Sequence, residues 1–359
     1  MRRSSIPPAL LALCLAGAAG AEEPVTVVTW GGAYEAAQRA AVFEPYTEAT
    51  GVPVEVRRHA GGIEALRARA GSEGWDAVDM LESDAIAACD AGLRRALDHG
   101  VILGAPLREA ARDFAPLELR PCSIPQNTYA TVFAYDERAF PGVKPTRIED
   151  FFDLERFPGK RAVEKRPGAI LEWALMAEGV PPDQVTDLLS TERGLDLAFA
   201  KLDEIRGSIL WWEEVDAPAR MLREREAAIA SGYNGRFFSA ALDGAPLVIV
   251  WDGRIIGTEV WAVPATAPRD GRARDFLRHA LSPEAMARLA ARIPYGPARR
   301  SAFERIGLHV DGAIPMRDHL PNAPRPELRA IQTDSRWYAR TRSLRQRRFE
   351  AWLAEGEDG

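Results

Sequence analysis

Val25-Thr26-Val27-Val28-Thr29-Trp30, followed by Gly31-Gly32, is the stretch from which the fold can be read. Its residues are apolar or β-branched throughout, which suits a strand buried on both faces. The glycine pair ends the strand before a helical pattern that runs from Tyr34 to Ala49, and Thr50-Gly51 closes that helix. Val52-Pro53-Val54-Glu55-Val56 predicts a second strand, Glu64 to Ala70 a second helix, and Asp76-Ala77-Val78-Asp79-Met80-Leu81 a third strand. Ser83 or Asp84 can cap the helix after it. Strands and helices alternating in this way build a parallel sheet covered on both faces. Ligands of such sheets sit beyond the carboxyl ends of the strands. Trp30-Gly31-Gly32-Ala33-Tyr34 and Glu82-Ser83-Asp84 occupy two of those ends and are the first candidate binding loops.

Outward from this core, Tyr129 to Tyr135 is dense in β-branched and aromatic residues and predicts a strong strand that turns at Asp136. From Pro145 to Leu247 the mixed pattern returns, with helices over Ala169–Glu178 and Gly194–Ile205 and an extended Ile209-Leu210-Trp211-Trp212. Extended segments follow at Leu247–Trp251 and Glu259–Val263, then helices near Ala273–Leu281 and Pro283–Arg292. A chain of 359 residues with 47% apolar content exceeds what one core usually organises, so two α/β lobes are expected.

At the N-terminus, Arg2 and Arg3 precede an apolar stretch from Ala9 to Ala18 and the small residues Ala19-Gly20-Ala21. This is the pattern of a secretory signal peptide over residues 1–21, cut after Ala21. The stretch falls short of the roughly 20 apolar residues that span a bilayer, so an exported chain without a stable membrane anchor is expected. Leu13 puts a bulky residue before Cys14, where lipoprotein signals carry a small one. Cys89 and Cys122 then form an even pair in an oxidising compartment, open to a disulfide or to two separately buried thiols. The formal charge of −6, more negative still once the leader arginines leave, argues against nucleic acid. Arg340, Arg342, Arg345, Arg347 and Arg348 interleave with Leu344, Phe349 and Trp352 at helical spacing, which predicts a terminal amphipathic helix with a basic solvent face and no binding role. His59, His99, His279, His309 and His319 are not spaced as a metal site, and there is no phosphate loop, nucleophile elbow or Cys-x-x-Cys. No catalytic residue, metal or cofactor is assigned, and the chain is not expected to be an enzyme.

Taken in order, several segments resemble the periplasmic spermidine/putrescine-type binding proteins of ABC importers, the family 1 extracellular solute-binding proteins. They are Thr29 to Tyr34, Phe43-Glu44-Pro45-Tyr46-Thr47-Glu48-Ala49-Thr50-Gly51, Phe151-Phe152-Asp153 with Phe157-Pro158-Gly159-Lys160-Arg161, Tyr233-Asn234-Gly235-Arg236, Ile249 to Gly253, Trp261 to Pro264, and Ile293-Pro294-Tyr295-Gly296-Pro297. Their order and spacing carry the likeness over nearly all of the mature chain. The resemblance implies a bilobal type II periplasmic binding protein fold, with an interlobe ligand cleft and hinge closure around the solute. It places crossings near Tyr135-Asp136, Trp251 to Glu259 and Arg300 to Gly307. Lobe I is then 22–135 plus 252–306, and lobe II is 136–251 plus 307–359 with the C-terminal helices. The implied partners are a small-molecule ligand and an inner-membrane ABC permease with its ATPase, met by a periplasmic monomer.

An ammonium in a dry cleft needs aromatic faces and a carboxylate. Trp30 and Tyr34, with Gly31 and Gly32 between them, begin the aromatic set, and Tyr233, Trp251, Trp261 and Tyr295 continue it. Core packing is the competing role for each ring; Trp30 and Tyr295 escape it best, since glycine-rich turns adjoin both. Glu259 aligns with the acidic residue by which the family holds an amine, and Asp84 and Glu82 are alternatives, with helix capping as the competing role for Asp84. The chain departs from polyamine binders at Glu164-Lys165-Arg166-Pro167-Gly168-Ala169, where Lys165 and Arg166 before a helix favour an anion. Arg236, after Tyr233 and Asn234, is a second carboxylate clamp. The ligand expected is a polyamine or, from this departure, a zwitterion of the ω-amino acid, betaine or opine type. The alternatives are an enzyme acting on a small amine on the same scaffold and a sensor subunit for a membrane receptor.

Overall fold

Val25–Thr29 forms β1, with all five side chains buried. The computed structural model describes residues 22–356; the leader, including Cys14, and residues 357–359 lie outside them. Gly31 and Gly32, at φ 80° and 59°, turn the chain from β1 into α1 (Gly32–Gln38), a conformation that a residue with a Cβ rarely adopts. The helical path continues through a wider π turn at Arg39–Phe43 and ends at Thr50, where Gly51 takes the left-handed cap. β2 (Val54–Arg58) and β3 (Ala77–Leu81) flank β1 in parallel, and β3 runs into α2 (Glu82–Asp90). Both candidate loops thus lie at carboxyl ends of parallel strands. Cys89, at the end of α2, is bonded to Cys122, which settles the alternative left open by the sequence.

β4 (Ile124–Asp136) leaves this lobe for the second, which is built on β5 (Arg161–Glu164), β6 (Ile209–Trp212) and β7 (Ile229–Tyr233), with α3 (Asn234–Leu242) following β7. β5 lies parallel to both β6 and β7. The chain returns along β8 (Leu247–Ala262), 16 residues long and antiparallel to β4. Short β9 (Gly296–Pro297) pairs with β4 and β10 (Ala330–Gln332) with β8, and the longer strands run in the order β2-β1-β3-β8-β4-β7-β5-β6. One sheet therefore threads both lobes.

The change of lobe takes place inside β4 and β8. Leu81 of β3 pairs with Glu259, whereas Thr131 already pairs with Tyr233 of β7. The first crossing thus lies near Tyr129, and Tyr135-Asp136, where the sequence placed it, sits well inside the second lobe opposite Ile229 and Leu247. A strand can exchange one neighbour for another without any turn, so nothing in its composition marks the point. The second crossing falls within Trp251 to Glu259.

Each lobe has its own core. Val25, Val27, Phe43, Tyr46, Trp261 and Phe276 pack in the first, and Phe133, Phe151, Trp173, Phe199 and Leu202 in the second. The terminal helix α4 (Ser335–Glu355) lays Trp337, Phe349 and Trp352 into the second core. Part of its basic face is not free solvent surface, since Arg345 is buried over the Trp337 and Tyr338 rings and Arg342 meets Asp84. Among the described residues no helix is long and apolar enough to cross a membrane.

Candidate functional site

A cavity of about 440 Å³ lies between the lobes, beyond the carboxyl ends of β1, β5 and β7. Its first-lobe wall starts at Trp30, whose indole Nε1 donates to Asp79 Oδ1 at 3.2 Å. Asp79 is fully buried on β3 and also accepts from Gln38 Nε2 at 2.9 Å. The His59 ring lies 4.3 Å from that of Trp30, and burial holds its pKa down to about 4, so the imidazole is neutral at physiological pH. Tyr34, from α1, accepts from Asn127 Nδ2 at 2.7 Å, and its ring centre is 5.1 Å from that of Tyr295. Tyr129 of β4 and Tyr233 of β7 meet edge to face at 5.5 Å where the strands cross. Glycines make room for these rings: a Cβ on Gly257 would stand 2.4 Å from the Tyr129 ring, and one on Gly235 2.6 Å from that of Tyr295.

Charges of both signs face this aromatic box. Glu259 is 6% exposed, accepts from Asn127 Nδ2 at 2.9 Å, and is pushed by burial up to about 7. Asp79 beside it is raised well above its ordinary value by burial and then by the Glu259 charge. Glu164, at the end of β5, is raised by burial, with the Tyr233 hydroxyl at 3.3 Å and Arg166 Nε at 3.6 Å as its polar neighbours. Arg236, in the first turn of α3, is 4% exposed; its Nη1 donates to Asp216 Oδ1 at 2.9 Å, while its buried Nε has no partner among the described residues. Arg166 reaches across the cleft, its Nη2 donating to the Ala60 carbonyl at 2.7 Å. A Cβ on Gly32 of the first lobe would meet Asp216 and Arg236 of the second, at 2.0 and 2.4 Å. The lobes are closed on each other.

The structure brings Trp30, Gly31, Gly32, Tyr34, Arg166, Tyr233, Arg236, Glu259 and Tyr295 to this cavity. The other sequence candidates lie elsewhere. Trp261 is 2% exposed, edge-on to Phe276 in the first core, so it is a packing residue. Trp251 stacks on the Arg325 guanidinium, outside the cavity. Asn234 is spent on the backbone, accepting from Ala130 N at 2.9 Å and donating to Pro294 O at 2.7 Å. Glu82 is held by Arg120 at 2.6 Å and by the Ser335 hydroxyl at 2.7 Å. Asp84 takes the Gly62 amide and Arg342, at the edge of a smaller neighbouring cavity of about 160 Å³. Lys165 is exposed in the bend that follows β5, where the Arg166 amide donates to the Glu164 carbonyl at 2.7 Å, and it does not line the cavity.

Tyr129, Glu164, His59 and Asp216 also line the cavity, as do Arg58, Ala60, Leu81, Glu213, Glu214 and Val215, and none of these is among the sequence candidates. Glu164 and Arg166 come together through the turn after β5, in which the Arg166 amide donates to the Glu164 carbonyl. Tyr129 carried no signal, because its strand reads as core. Among the described residues no cluster of His, Cys, Asp and Glu is arranged to hold a metal ion.

Over residues 41–315 the chain matches the family described as bacterial extracellular solute-binding protein. It is 31% identical to the gamma-aminobutyric acid-binding protein of Pseudomonas aeruginosa across 348 residues, which span 96% of this chain and 95% of that one. The fold is similar to that of the binding protein MotA of Agrobacterium tumefaciens B6, solved in complex with glucopine, with a TM-score of 0.82 and 25% identity over 92% of this chain and 99% of the other. A solved GABA receptor superposes with a TM-score of 0.76 and 26% identity, over 92% of this chain and 97% of its own.

Proposed function

This chain belongs to the bacterial extracellular solute-binding protein family, the substrate-binding components of ABC transporters and not enzymes, and from that premise we propose that its solute is a small ω-amino acid of the gamma-aminobutyrate (GABA) type. One observation carries the reading: the interlobe cavity is lined both by the buried guanidinium of Arg236, paired at Nη1 with the exposed Asp216, and by the buried carboxyl of Glu259, which has no ion-pair partner among the described residues. Buried charges that are incompletely matched are costly, and a zwitterion adds an opposite charge at each end.

In this reading the ligand carboxylate meets Arg236, whose planar fork suits bidentate acceptance. The ammonium meets Glu259, with the Trp30, Tyr34 and Tyr295 rings offering cation-π faces. Glu259 is preferred to Glu164 as the ammonium acceptor because Glu164 already has Arg166 at 3.6 Å. A polyamine would bring a second ammonium toward Arg166 or Arg236 and meet repulsion. The names of two relatives, a GABA-binding protein and a GABA receptor, support the same class. The closed protein then delivers the solute from the periplasm to an inner-membrane permease and its ATPase.

Thermal unfolding of refolded, ligand-stripped protein against GABA, 5-aminopentanoate, glycine betaine and putrescine tests this, since a ligand of the native state at 100 times its Kd adds about 2.7 kcal/mol of stability. Stabilisation by the ω-amino acids and none by putrescine is expected. The reverse order would overturn the zwitterion reading in favour of a polyamine.

A further inference from the structure

The loop 59–62, after β2, covers one side of the cavity. His59 lies against Trp30, the Ala60 carbonyl accepts from Arg166, and a Cβ on Gly61 would stand 3.1 Å from the Trp30 ring. Gly61 and Gly62 both have positive φ, 87° and 76°. A glycine pair has little stiffness of its own, so the loop must be held from outside.

Asp84 holds it. One carboxylate oxygen accepts from the Gly62 amide at 2.7 Å and the other from Arg342 Nη1 at 2.5 Å. Asp84 sits on α2 of the first lobe and is 6% exposed, while Arg342 sits on α4, whose aromatic residues are anchored in the second core. A single carboxylate therefore ties the loop over the solute to the opposite lobe.

We propose that Asp84 and Arg342 form an interlobe latch: a positioning pair outside the cavity that holds loop 59–62 down in the closed state and slows solute release. The lever geometry favours this. Ser335, at the start of α4, donates to Glu82 close to the crossing strands, where Thr333 N bonds Ile256 O. Arg342 lies seven residues further along, about 10 Å by helical rise. Rotation about the crossing strands thus separates Arg342 from Asp84 before it disturbs Ser335. Asp84 is not acting as the helix cap that its position suggests, since its two oxygens are engaged by Gly62 and Arg342. The inference shares with the preceding section only the premise that the interlobe cavity holds the solute.

The Arg342 side chain is 49% exposed, so the pair is worth no more than about a fivefold shift in the open–closed equilibrium. The test compares native protein with Arg342→Ala, which spares the Asp84–Gly62 bond, and with Arg342→Lys. Ligand-free protein is measured by small-angle scattering and by amide exchange of the segment 59–62, and GABA release by stopped-flow tryptophan fluorescence. Arg342→Ala should widen the scattering radius, speed exchange in that segment, and raise koff by about fivefold, with Arg342→Lys restoring native behaviour. Scattering and exchange unchanged in Arg342→Ala would overturn the latch. Should native protein fail to bind GABA, the solute assignment falls, and the two ligand-free measurements still decide the latch by themselves.

Discussion

The sharpest consequence of the cavity is that solute capture releases a proton. Glu259 is buried and raised to about 7, and Asp79 beside it is also raised well above its ordinary value, by burial and then by the Glu259 charge. An ammonium ligand requires the ionised form of Glu259, so below pH 7 binding has to expel the proton. Affinity then falls by about tenfold per pH unit, or about 100-fold between pH 8 and pH 5. Calorimetry in buffers of different ionisation enthalpy counts the proton directly: about 0.9 released per GABA at pH 6 and about 0.1 at pH 8. His59, at about 4, stays neutral through this window and adds nothing. Glu259→Gln should abolish the slope and weaken binding at pH 8. A slope that survives in Glu259→Gln and disappears in Glu164→Gln would refute the assignment, and a flat profile from pH 5 to pH 8 would refute the whole argument. The ligand-free protein should show the linked stability effect. The folded-state pKa of Glu259 is above its ordinary 4.5, so its contribution is complete below pH 4.5 and is lost as pH rises through 7. The loss is about 3 kcal/mol, readable as a falling Tm in the absence of solute.

Other expectations follow from single contacts. Arg236→Met should cost about 100-fold in GABA affinity with far-UV circular dichroism unchanged, because it removes the buried cation assigned to the ligand carboxylate. Arg166→Glu should reverse the selectivity at the cleft mouth and let putrescine stabilise the protein, measured by the same thermal shifts. Gly257→Ala places a methyl 2.4 Å from the Tyr129 ring and should cost about 1–3 kcal/mol in denaturant unfolding while loosening solute binding. Cys89→Ser opens a link across 33 residues and should lower unfolding stability by about 3 kcal/mol under oxidising conditions, with no change under reducing ones.

What could be read from the sequence was whatever local chemistry announces. The run Val25–Thr29 and the glycines after it identify a doubly covered strand and its end, because only such residues tolerate burial on both faces followed by positive φ. Trp30 and Tyr34 follow from that end. Partner choice is not local, and there the reading failed. β4 changes neighbours near Tyr129 with no turn residue to mark it, so Tyr129 read as core and the crossing was placed at Tyr135. Trp261 failed for the converse reason: a central strand is apolar on both faces, and composition does not say which face meets the cavity. Lys165 is set apart from Glu164 and Arg166 by the bend that ends β5, which the sequence does not mark. Asp84 was placed at the right strand end but its partners, Gly62 and Arg342, come from distant segments.

Closure and ligand selection are one event in this architecture. With the lobes apart, water reaches Arg236 and Glu164, and neither charge is stranded. Bringing the lobes together removes that water, and closure is then penalised by whichever charge the solute leaves unmatched. A zwitterion of suitable length matches both ends, a dication leaves Arg236 opposed, and an uncharged sugar leaves both signs bare. Selectivity therefore resides in the difference between open and closed states more than in any one contact. The Asp84–Arg342 pair and the Arg166–Ala60 bond add a solute-independent bias toward closure, which shifts the affinity of every ligand in parallel and leaves their order unchanged. Removing the latch should accordingly weaken GABA and 5-aminopentanoate by the same factor, whereas Arg236→Met should weaken carboxylate ligands alone. The two kinds of variant thus separate the energy of closing from the chemistry of recognition.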